Sequence, residues 1–405
     1  MKIVQLSTAS TGGAGTAAYR LHSGLARQKD VYSSFVQQGN ILKSEDNHIY
    51  SIPPDNSLLS RIKRKLKLSP EYLNAAKVAT YSSSQYEIAT FPTTSYRIER
   101  SEIIKNADII NLHWIANFLN YPTFFNKVRQ PVVWTLHDMN PFQGIFHYEG
   151  DMIANQNNLG EIDRQICAQK LRYIHQFKNL HIVCLCDWMK KKSENSDILG
   201  RYPHYVIPNG LNLSQYPLLE KGKAIESLGI NNGLKTILFI SVGLEIRRKG
   251  FDLLLKAIET LRGNSNFNLI TVGGEKINIE KKVNHIHYNR IENNDELNII
   301  YSAADITIIP SREDNLPNVM LESFANGTPV MSFSNGGMAE HIKTGENGVL
   351  LNEIGVEPLS TGINDFLNNK YNFDRGFIRK YAEDVFSDKL QAERYIELYK
   401  NILSK

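Results

Sequence analysis

Cysteine and long apolar runs are both scarce in this chain. Its 405 residues include Cys167, Cys184 and Cys186, an odd number at spacings that match neither a zinc site nor a redox pair, so we expect buried free thiols. No apolar stretch reaches the length of a membrane span, and the run after Met1 is too short for a signal peptide. The sequence therefore predicts a cytoplasmic protein.

A strong excess of charge is also missing. The formal net charge of +4 is too small to indicate a nucleic-acid-binding protein, and no Asp-x-Asp motif is present. Residues 60–70, "SRIKRKLKLSP", carry five basic residues and no acid. Leucines and Ile62 are interleaved with them, which favours two interpretations of residues 58–68. They form either a peripheral contact with the inner face of an anionic membrane or a solvated helix whose apolar face packs on its own core.

Two successive series of alternating strands and helices are present. The chain is longer than one hydrophobic core normally supports, and the pattern breaks at residues 205–217, which contain proline and Asn-Gly. Strands that alternate with helices predict parallel, doubly wound sheets. We therefore predict an α/β protein with Rossmann-like domains at 1–206 and 207–385. A terminal helix follows at 386–405, with Ser387 as its N-cap.

Acidic residues follow one predicted strand of the second series. The strand covers residues 304–311 and is followed by Glu313 and Asp314 in a loop, where open α/β sheets bind ligands. The helix at 317–326 carries Glu322. Ionised carboxylates accept hydrogen bonds from the hydroxyl groups of a sugar or a ribose, although the same residues also suit a simple turn and a solvated helix face.

The start of this helix and a basic turn elsewhere suit an anion. The N–H groups of Asn318 and Val319 face the loop and would attract a phosphate. "SVGLEIRRKGFD", residues 241–252, follows another strand and opens a helix, so its cations would stabilise charge on a departing nucleotide. A solvated basic turn is the alternative. The residues concerned are Gly243, Arg247, Arg248 and Lys249.

A glycine-rich segment near the N-terminus has two interpretations. Gly13 and Gly15 precede a helix predicted from about Thr16, which allows close approach of the backbone to phosphate or sugar. Residues 13–18 also fit the G-x-G-x-x-A pattern of dinucleotide-binding enzymes. Five residues separate the likely strand end from Gly12, and the second strand ends in glutamines rather than an acid, which argues against a dehydrogenase.

Taken in order, these motifs resemble the retaining glycosyltransferases of family 4, also called glycosyl transferases group 1, which have the GT-B fold. That fold has two Rossmann-like domains facing a central cleft and a C-terminal helix that returns to the N-terminal domain. The matching stretches are "STASTGGAGTAAYRLHSGLA", "HWIANF", "WTLHDMNPF", "VIPNGLN", "RRKGFDLLLKAI", "YSAADITIIPSRED", "SREDNLPNVMLESFANGTPV" and "GGMAEHIKTGENGVLL".

The resemblance implies roles for the second domain, which binds the nucleotide sugar in this family. Asp314 would hydrogen-bond the donor sugar and Glu322 the ribose, but the family usually has glutamate at the first position, so Glu313 is an alternative. Lys249 matches a family lysine. Leu244 occupies the position of a family arginine, and we expect Arg247 or Arg248 to substitute.

The resemblance also implies the reaction. The matching histidine, His137, would lie beside the donor sugar at the cleft, with His113 a weaker candidate for the acceptor pocket of the N-terminal domain. A nucleoside diphosphate sugar would donate to a glycan or lipid-linked acceptor of bacterial polysaccharide synthesis, with retention and with neither metal nor cofactor. The alternatives are an epimerase or hydrolase on the same fold and, given Leu244 and Asp314, a non-catalytic nucleotide-sugar-binding subunit.

Overall fold

The chain folds into two compact units. The computed structural model describes residues 1–39, 48–79, 81, 85–261, 266–277, 279, 283–291 and 293–404. The first unit comprises Met1–Pro208 and Gln391–Lys405, and the second comprises Asn209–Leu390. These boundaries lie two and five residues later than the sequence boundaries at 206 and 385.

The first unit is built on a parallel sheet whose described strands run in the order β3-β2-β1-β4-β5-β6-β7. The strands are β1 (Lys2–Leu6), β2 (Tyr32–Gln38), β3 (Ile49–Ile52), β4 (Ile109–Leu112), β5 (Val132–Leu136), β6 (Leu180–Cys184) and β7 (His204–Val206). The helices are α1 (Gly12–Ala26), α2 (Leu58–Lys65), α3 (Pro70–Ala79), α4 (Glu102–Lys105), α5 (Tyr121–Lys127), α6 (Glu149–Ala154), α7 (Gln156–Ile174) and α8 (Asp187–Glu194).

The second unit repeats this plan with the described order β10-β9-β8-β11-β12-β13, again parallel. Its strands are β8 (Thr236–Ile240), β9 (Asn268–Val272), β10 (Asn284–Tyr288), β11 (Ile306–Ile309), β12 (Val330–Phe333) and β13 (Gly348–Leu351). Its helices are α9 (Lys221–Ser227), α10 (Phe251–Thr260), α11 (Asn294–Ala303), α12 (Asn318–Ala325), α13 (Met338–His341), α14 (Val356–Leu367) and α15 (Arg375–Phe386).

The last helix, α16 (Asp388–Leu403), belongs mostly to the first unit. The hydroxyl of Ser387 accepts a hydrogen bond from the N–H of Leu390 at 3.3 Å, as expected of the predicted N-cap. Buried side chains of α16 pack on the strands of the first sheet, namely Ala392, Tyr395, Leu398, Tyr399 and Ile402. The predicted Rossmann-like units and the return of the terminal helix to the first unit are confirmed.

Parallel sheets covered on both faces explain why the strands read as continuous apolar runs. Every residue of β5 and β6 is buried, because helices lie on each side of such a sheet. Cys184 and Cys186 are buried and Cys167 is half-buried, and all carry free thiols. Burial raises the pKa of the Cys184 and Cys167 thiols, so they stay protonated and inert.

Two helices depart from the sequence predictions. Helix α1 begins at Gly12 rather than Thr16, so Gly13 and Gly15 lie in its first turn. A β-carbon at Gly15 would lie 2.5 Å from the carbonyl oxygen of Ala9, which outweighs the poor helix propensity of glycine. Helix α12 begins at Asn318, and Pro317 is its N-cap instead of its first residue.

Helix α2 contains no buried residue. The interpretation in which its apolar face packs on the protein's own core is therefore wrong, because Leu58, Leu59 and Ile62 are all exposed. Within the described part of the chain, no helix combines the length and the apolar character needed to cross a bilayer.

Candidate functional site

The carboxylate of Asp314 lies at the centre of a charged cluster beyond the carboxyl end of β11. Its Oδ2 accepts a hydrogen bond from the Nζ of Lys249 at 2.6 Å and one from the hydroxyl of Ser311 at 3.3 Å. A guanidinium nitrogen of Arg248 lies 3.6 Å from the same oxygen. Burial opposes ionisation of Asp314, but the charges of Lys249 and Arg248 outweigh it and lower the pKa of the carboxyl group.

The structure distinguishes Asp314 from Glu313, which the sequence alone could not do. The side chain of Asp314 is buried, whereas Glu313 is only half-buried and contributes its backbone carbonyl, which accepts a hydrogen bond from Arg248 at 3.0 Å. Asp314 is therefore the acid that contacts Lys249. An ionised, oriented carboxylate of this kind accepts hydrogen bonds from hydroxyl groups.

The two candidate arginines also differ. Arg248 contacts the Asp314 carboxylate, while the side chain of Arg247 is exposed. Arg312 holds the turn of Arg247–Lys249 in place, because its guanidinium bonds both carboxylate oxygens of Asp252 at 2.6 Å and also the carbonyl of Arg247. Leu244, at the position of the family arginine, is buried in the core of the second unit. Of the two arginines that follow it, Arg248 is the one that contacts Asp314.

Glycines allow these loops to approach each other. Gly250, with φ of 75°, ends the turn of Arg247–Lys249, and a β-carbon there would lie 1.9 Å from the carbonyl oxygen of Pro310. Gly336, with φ of 52°, would meet the carbonyl oxygen of Asp314 at the same distance. The Nδ2 of Asn335 donates to the carbonyl of Ser311 at 2.9 Å. The sequence argument missed Ser311, Asn335 and Gly336 as supports of the loop.

Glu322 lies on α12 and is 8% exposed. Its Oε2 accepts a hydrogen bond from the hydroxyl of Tyr301 at 3.0 Å, which excludes the interpretation of a solvated helix face. Pro317, the N-cap of α12, makes no side-chain hydrogen bond to the helix, and the first turn of a helix, here Asn318 and Val319, is a position that suits an anion.

Gly243 lies in the loop after β8. Its carbonyl accepts a hydrogen bond from the hydroxyl of Ser241 at 3.0 Å, and a β-carbon would lie 2.3 Å from the Glu245 carboxylate. The loops after β8 and β11, which carry the charged cluster, therefore meet at the carboxyl edge of the second sheet, where such folds bind ligands.

A line of buried polar side chains leads to His137 in the first unit. The Nδ1 of His113 lies 3.0 Å from the Nε2 of His137, and the Nε2 of His113 lies 2.7 Å from the Oε1 of Gln5. The Nε2 of Gln5 and the Nδ2 of Asn111 both donate to the hydroxyl of Tyr399 on α16, at 3.4 and 3.0 Å. The terminal helix thus supports the strand-end histidines through Gln5.

These contacts define the protonation of both rings. Burial lowers the pKa of His137 to about 4, and burial together with the charge of His137 lowers that of His113 well below its usual value. Both imidazoles are therefore neutral at pH 7. Because the Gln5 carbonyl oxygen accepts, His113 is protonated on Nε2 and accepts at Nδ1, so His137 is protonated on Nε2.

A second buried cluster, which sequence reasoning missed, fixes the loop after β5. Asp138 accepts hydrogen bonds from His147 at 2.6 Å, from Trp114 at 2.8 Å and from the N–H of Asn140 at 3.0 Å. The Nζ of the buried Lys170 donates to the carbonyl oxygens of Asn140 and Gly144 at 2.5 and 2.6 Å, and burial lowers its pKa to about 7. These groups position the backbone that carries His137.

Gly13 and Gly15 have different environments. A β-carbon at Gly13 would meet no atom within 4 Å, so the space beside this turn of α1 is not filled by protein. Gly15 is instead required by the close approach of Ala9. In the described part of the chain, no group of three or more histidine, cysteine or acidic side chains has an arrangement that would hold a metal ion.

Several known proteins with similar sequences or structures are named as glycosyltransferases. The family model for glycosyl transferases, group 1, matches residues 221–384. An uncharacterized glycosyltransferase of Methanocaldococcus jannaschii is 28% identical over 292 residues, covering 69% of this chain and 70% of the relative. A lipopolysaccharide core biosynthesis glycosyltransferase of Rhizobium meliloti is 32% identical over 116 residues, covering 28% of this chain and 34% of the relative.

A solved structure shares the fold over the full length. The crystal structure of HepE from Anabaena in complex with UDP-glucose has a TM-score of 0.64, at 15% identity, and the match covers 99% of this chain and 100% of HepE. The architecture is therefore that of the GT-B fold. Together with the related sequences and the family model that matches residues 221–384, it identifies the chain as a glycosyltransferase similar to the glycosyl transferases, group 1.

Proposed function

We propose that this glycosyltransferase moves a sugar from a nucleoside diphosphate sugar to a glycan or lipid-linked acceptor, with retention of configuration and without a metal ion. The observation that carries the proposal is the buried Asp314 carboxylate held between Lys249 and Arg248 at the carboxyl edge of the second sheet. The UDP-glucose bound by HepE supports the choice of donor class.

The cations are assigned to the diphosphate. Lys249 and Arg248 carry fixed positive charge, and the first-turn N–H groups of α12 add oriented dipoles, so negative charge that develops on the departing nucleotide is stabilised in place. The half-buried guanidinium of Arg248 offers donors in a planar fork that suits phosphate oxygens. Arg247, at the exposed end of the same turn, is assigned a supporting electrostatic role.

The carboxylates are assigned to hydroxyl groups of the donor. Each carboxylate oxygen can accept more than one hydrogen bond, so Glu322 is assigned to a ribose hydroxyl in addition to its bond from Tyr301. Asp314 accepts from a hydroxyl of the transferred sugar, and the contact with Lys249 keeps the carboxylate ionised. His137, as a neutral imidazole, is assigned to a hydrogen bond with a hydroxyl group of the same sugar.

The transfer step follows a front-face course. The bond between the anomeric carbon and the β-phosphate oxygen breaks, and the acceptor oxygen bonds to that carbon on the same face of the sugar. The departing phosphate oxygen accepts the acceptor's proton, so no protein base is required. Lys249 and Arg248 hold the diphosphate while this charge develops.

Surface polysaccharide or lipopolysaccharide synthesis is the proposed setting. The support is the relative from Rhizobium meliloti, which is named for lipopolysaccharide core biosynthesis. Donor base, sugar and acceptor are selected by loop walls outside the cluster described above.

The reaction is tested by nucleotide release from UDP-, GDP- and ADP-sugars, with and without acceptors and with EDTA. A transferase that works without a metal should release nucleotide only when an acceptor is present, and this release should persist in EDTA. Release that ignores acceptors would instead indicate a hydrolase or epimerase, binding without release would indicate a non-catalytic subunit, and loss of activity in EDTA would contradict metal independence.

Lys249→Ala should lower kcat by about 100-fold or more, because one fixed charge on the departing diphosphate is removed. The measurement is steady-state release with the best donor, alongside the melting temperature. Lys223→Ala is the matched control, since its side chain is 81% exposed and pairs only with Glu220 in the described structure. A Lys249 variant that folds and retains full kcat would remove this residue from the site.

A further inference from the structure

Helix α2 is attached to the first unit by its polar side. The hydroxyl of Ser60 donates to the carboxylate of Asp55 at 2.9 Å. The guanidinium of Arg64, one turn later, donates to the carbonyl of Asp55 at 2.7 Å and to the side chain of Asn56 at 2.9 Å. Ser60 and Arg64 are the half-buried residues of this helix, so its polar face points inward.

The opposite face is apolar and points outward. At 100° per residue the apolar side chains cover an arc of roughly 100°, whereas a surface helix normally turns such an arc toward the core. The exposed fractions are 73% for Leu58, 63% for Leu59, 45% for Ile62 and 61% for Leu66.

The same arrangement continues into α3. Asn74 is buried and its Nδ2 donates to the carbonyl of Thr93 at 2.9 Å, while Glu71 accepts from the N–H and the hydroxyl of Ser95. The outward side again carries large apolar groups, with exposed fractions of 51% for Leu68, 47% for Tyr72 and 45% for Leu73. We call Leu58, Leu59, Ile62, Leu66, Leu68, Tyr72 and Leu73 the α2–α3 apolar face.

Cations border this face. Arg61, Lys63, Lys65 and Lys67 are exposed, and the sequence has no acid between Asp55 and Glu71. Both of those acids have partners within the first unit: Asp55 contacts Ser57, Ser60 and Arg100, and Glu71 contacts Ser95. An outward surface that combines leucines with lysines, in a stretch from residue 56 to 70 that contains no acid, complements a negatively charged bilayer.

We infer that the α2–α3 apolar face docks on an anionic lipid bilayer. The leucines insert at the level of the headgroups, and Arg61, Lys63, Lys65 and Lys67 bind the lipid phosphates around them. Apolar patches of this kind on a soluble unit mark interaction surfaces, and the surrounding charge selects lipid over a neutral protein surface. This inference is independent of the sugar-transfer assignment, because it uses none of its residues.

The test is co-sedimentation of the full-length protein with vesicles of phosphatidylcholine alone or with 30% phosphatidylglycerol. We expect binding to the anionic vesicles and at least tenfold weaker binding to neutral ones. Lys63→Gln with Lys65→Gln should weaken binding to the anionic vesicles by about 30-fold. Leu59→Ser with Ile62→Ser should weaken it by about tenfold or more.

The control carries the same change at two other exposed apolar side chains, Ile153→Ser and Ile354→Ser, which are 63% and 50% exposed. It should bind the anionic vesicles as the unaltered protein does. Sedimentation equilibrium without vesicles tests whether a second copy of the protein binds the α2–α3 apolar face instead. Self-association lost in Leu59→Ser with Ile62→Ser, equal binding to both vesicle types, or no vesicle binding would each overturn the inference.

Discussion

At the residue scale, the main question is which acid of the loop after β11 acts. Two neighbouring carboxylates look equivalent in the sequence, but only Asp314 lies within hydrogen-bond distance of Lys249. Its lowered pKa means that it remains an acceptor at neutral pH. Glu313 contributes its backbone carbonyl to Arg248 instead.

Asp314→Asn should reduce kcat by about 100-fold, because the amide keeps the shape but loses the charge that orients Lys249 and accepts the sugar hydroxyl. Glu313→Gln is the matched control and should change kcat little. Both are measured with the same donor and acceptor, and melting temperatures show whether each variant is folded. The opposite ranking would assign the sugar contact to Glu313.

At the element scale, the turn of Arg247–Lys249 depends on how closely the start of α10 approaches the end of β11. Gly250 adopts a left-handed conformation and leaves no room for a β-carbon against Pro310. Side chains of Arg248 and Lys249 reach Asp314 only because the backbone passes this close. The close approach of α10 to β11 therefore sets the positions of the charged groups of Arg248 and Lys249.

Gly250→Ala should destabilise the protein more than Gly229→Ala. Gly229 also has a positive φ, 63°, but a β-carbon there meets nothing within 4 Å. Both variants lose about 1–2 kcal/mol to backbone strain, and Gly250→Ala loses about 1–3 kcal/mol more to the clash. Urea denaturation measures the free energy of unfolding, and equal losses would show that the contact with Pro310 relaxes freely.

At the scale of the whole molecule, the first unit is assembled from two distant parts of the chain. Residues of α16 fill the surface of the first sheet, and each fully buried apolar side chain contributes about 1.5–3 kcal/mol. Several such contributions equal much of the stability of a typical domain, which is about 5–15 kcal/mol. The first segment alone should therefore not form a stable unit.

A fragment of residues 1–210 should unfold at low temperature or aggregate, whereas the same fragment joined to residues 388–405 should melt cooperatively. A short Gly-Ser linker suffices for the junction, because the N–H of Asp388 donates to the carbonyl of Leu211 at 2.9 Å. Differential scanning calorimetry of both proteins provides the comparison. Equal melting temperatures would show that α16 is dispensable.

Element type was largely predictable because its signals are local. Apolar runs, glycine and proline positions and the Ser387 cap identified the two Rossmann-like series and the terminal helix. Helix boundaries were less predictable. The start of α1 depends on the close approach of the Ala9 carbonyl to Gly15, and local helix propensities do not encode this contact between a loop and a helix.

The sequence by itself determined the alternation of strands and helices, the family resemblance and the short set of charged residues at strand ends. Tertiary structure alone decided that Asp314 rather than Glu313 meets Lys249, that Gln5 and Tyr399 support His137, and that the leucines of α2 point outward. The physical reason is that these outcomes depend on contacts between segments far apart in the chain. Periodicity shows which side of a helix is apolar, but only its anchoring bonds, such as that of Arg64 to Asp55, decide which side faces water.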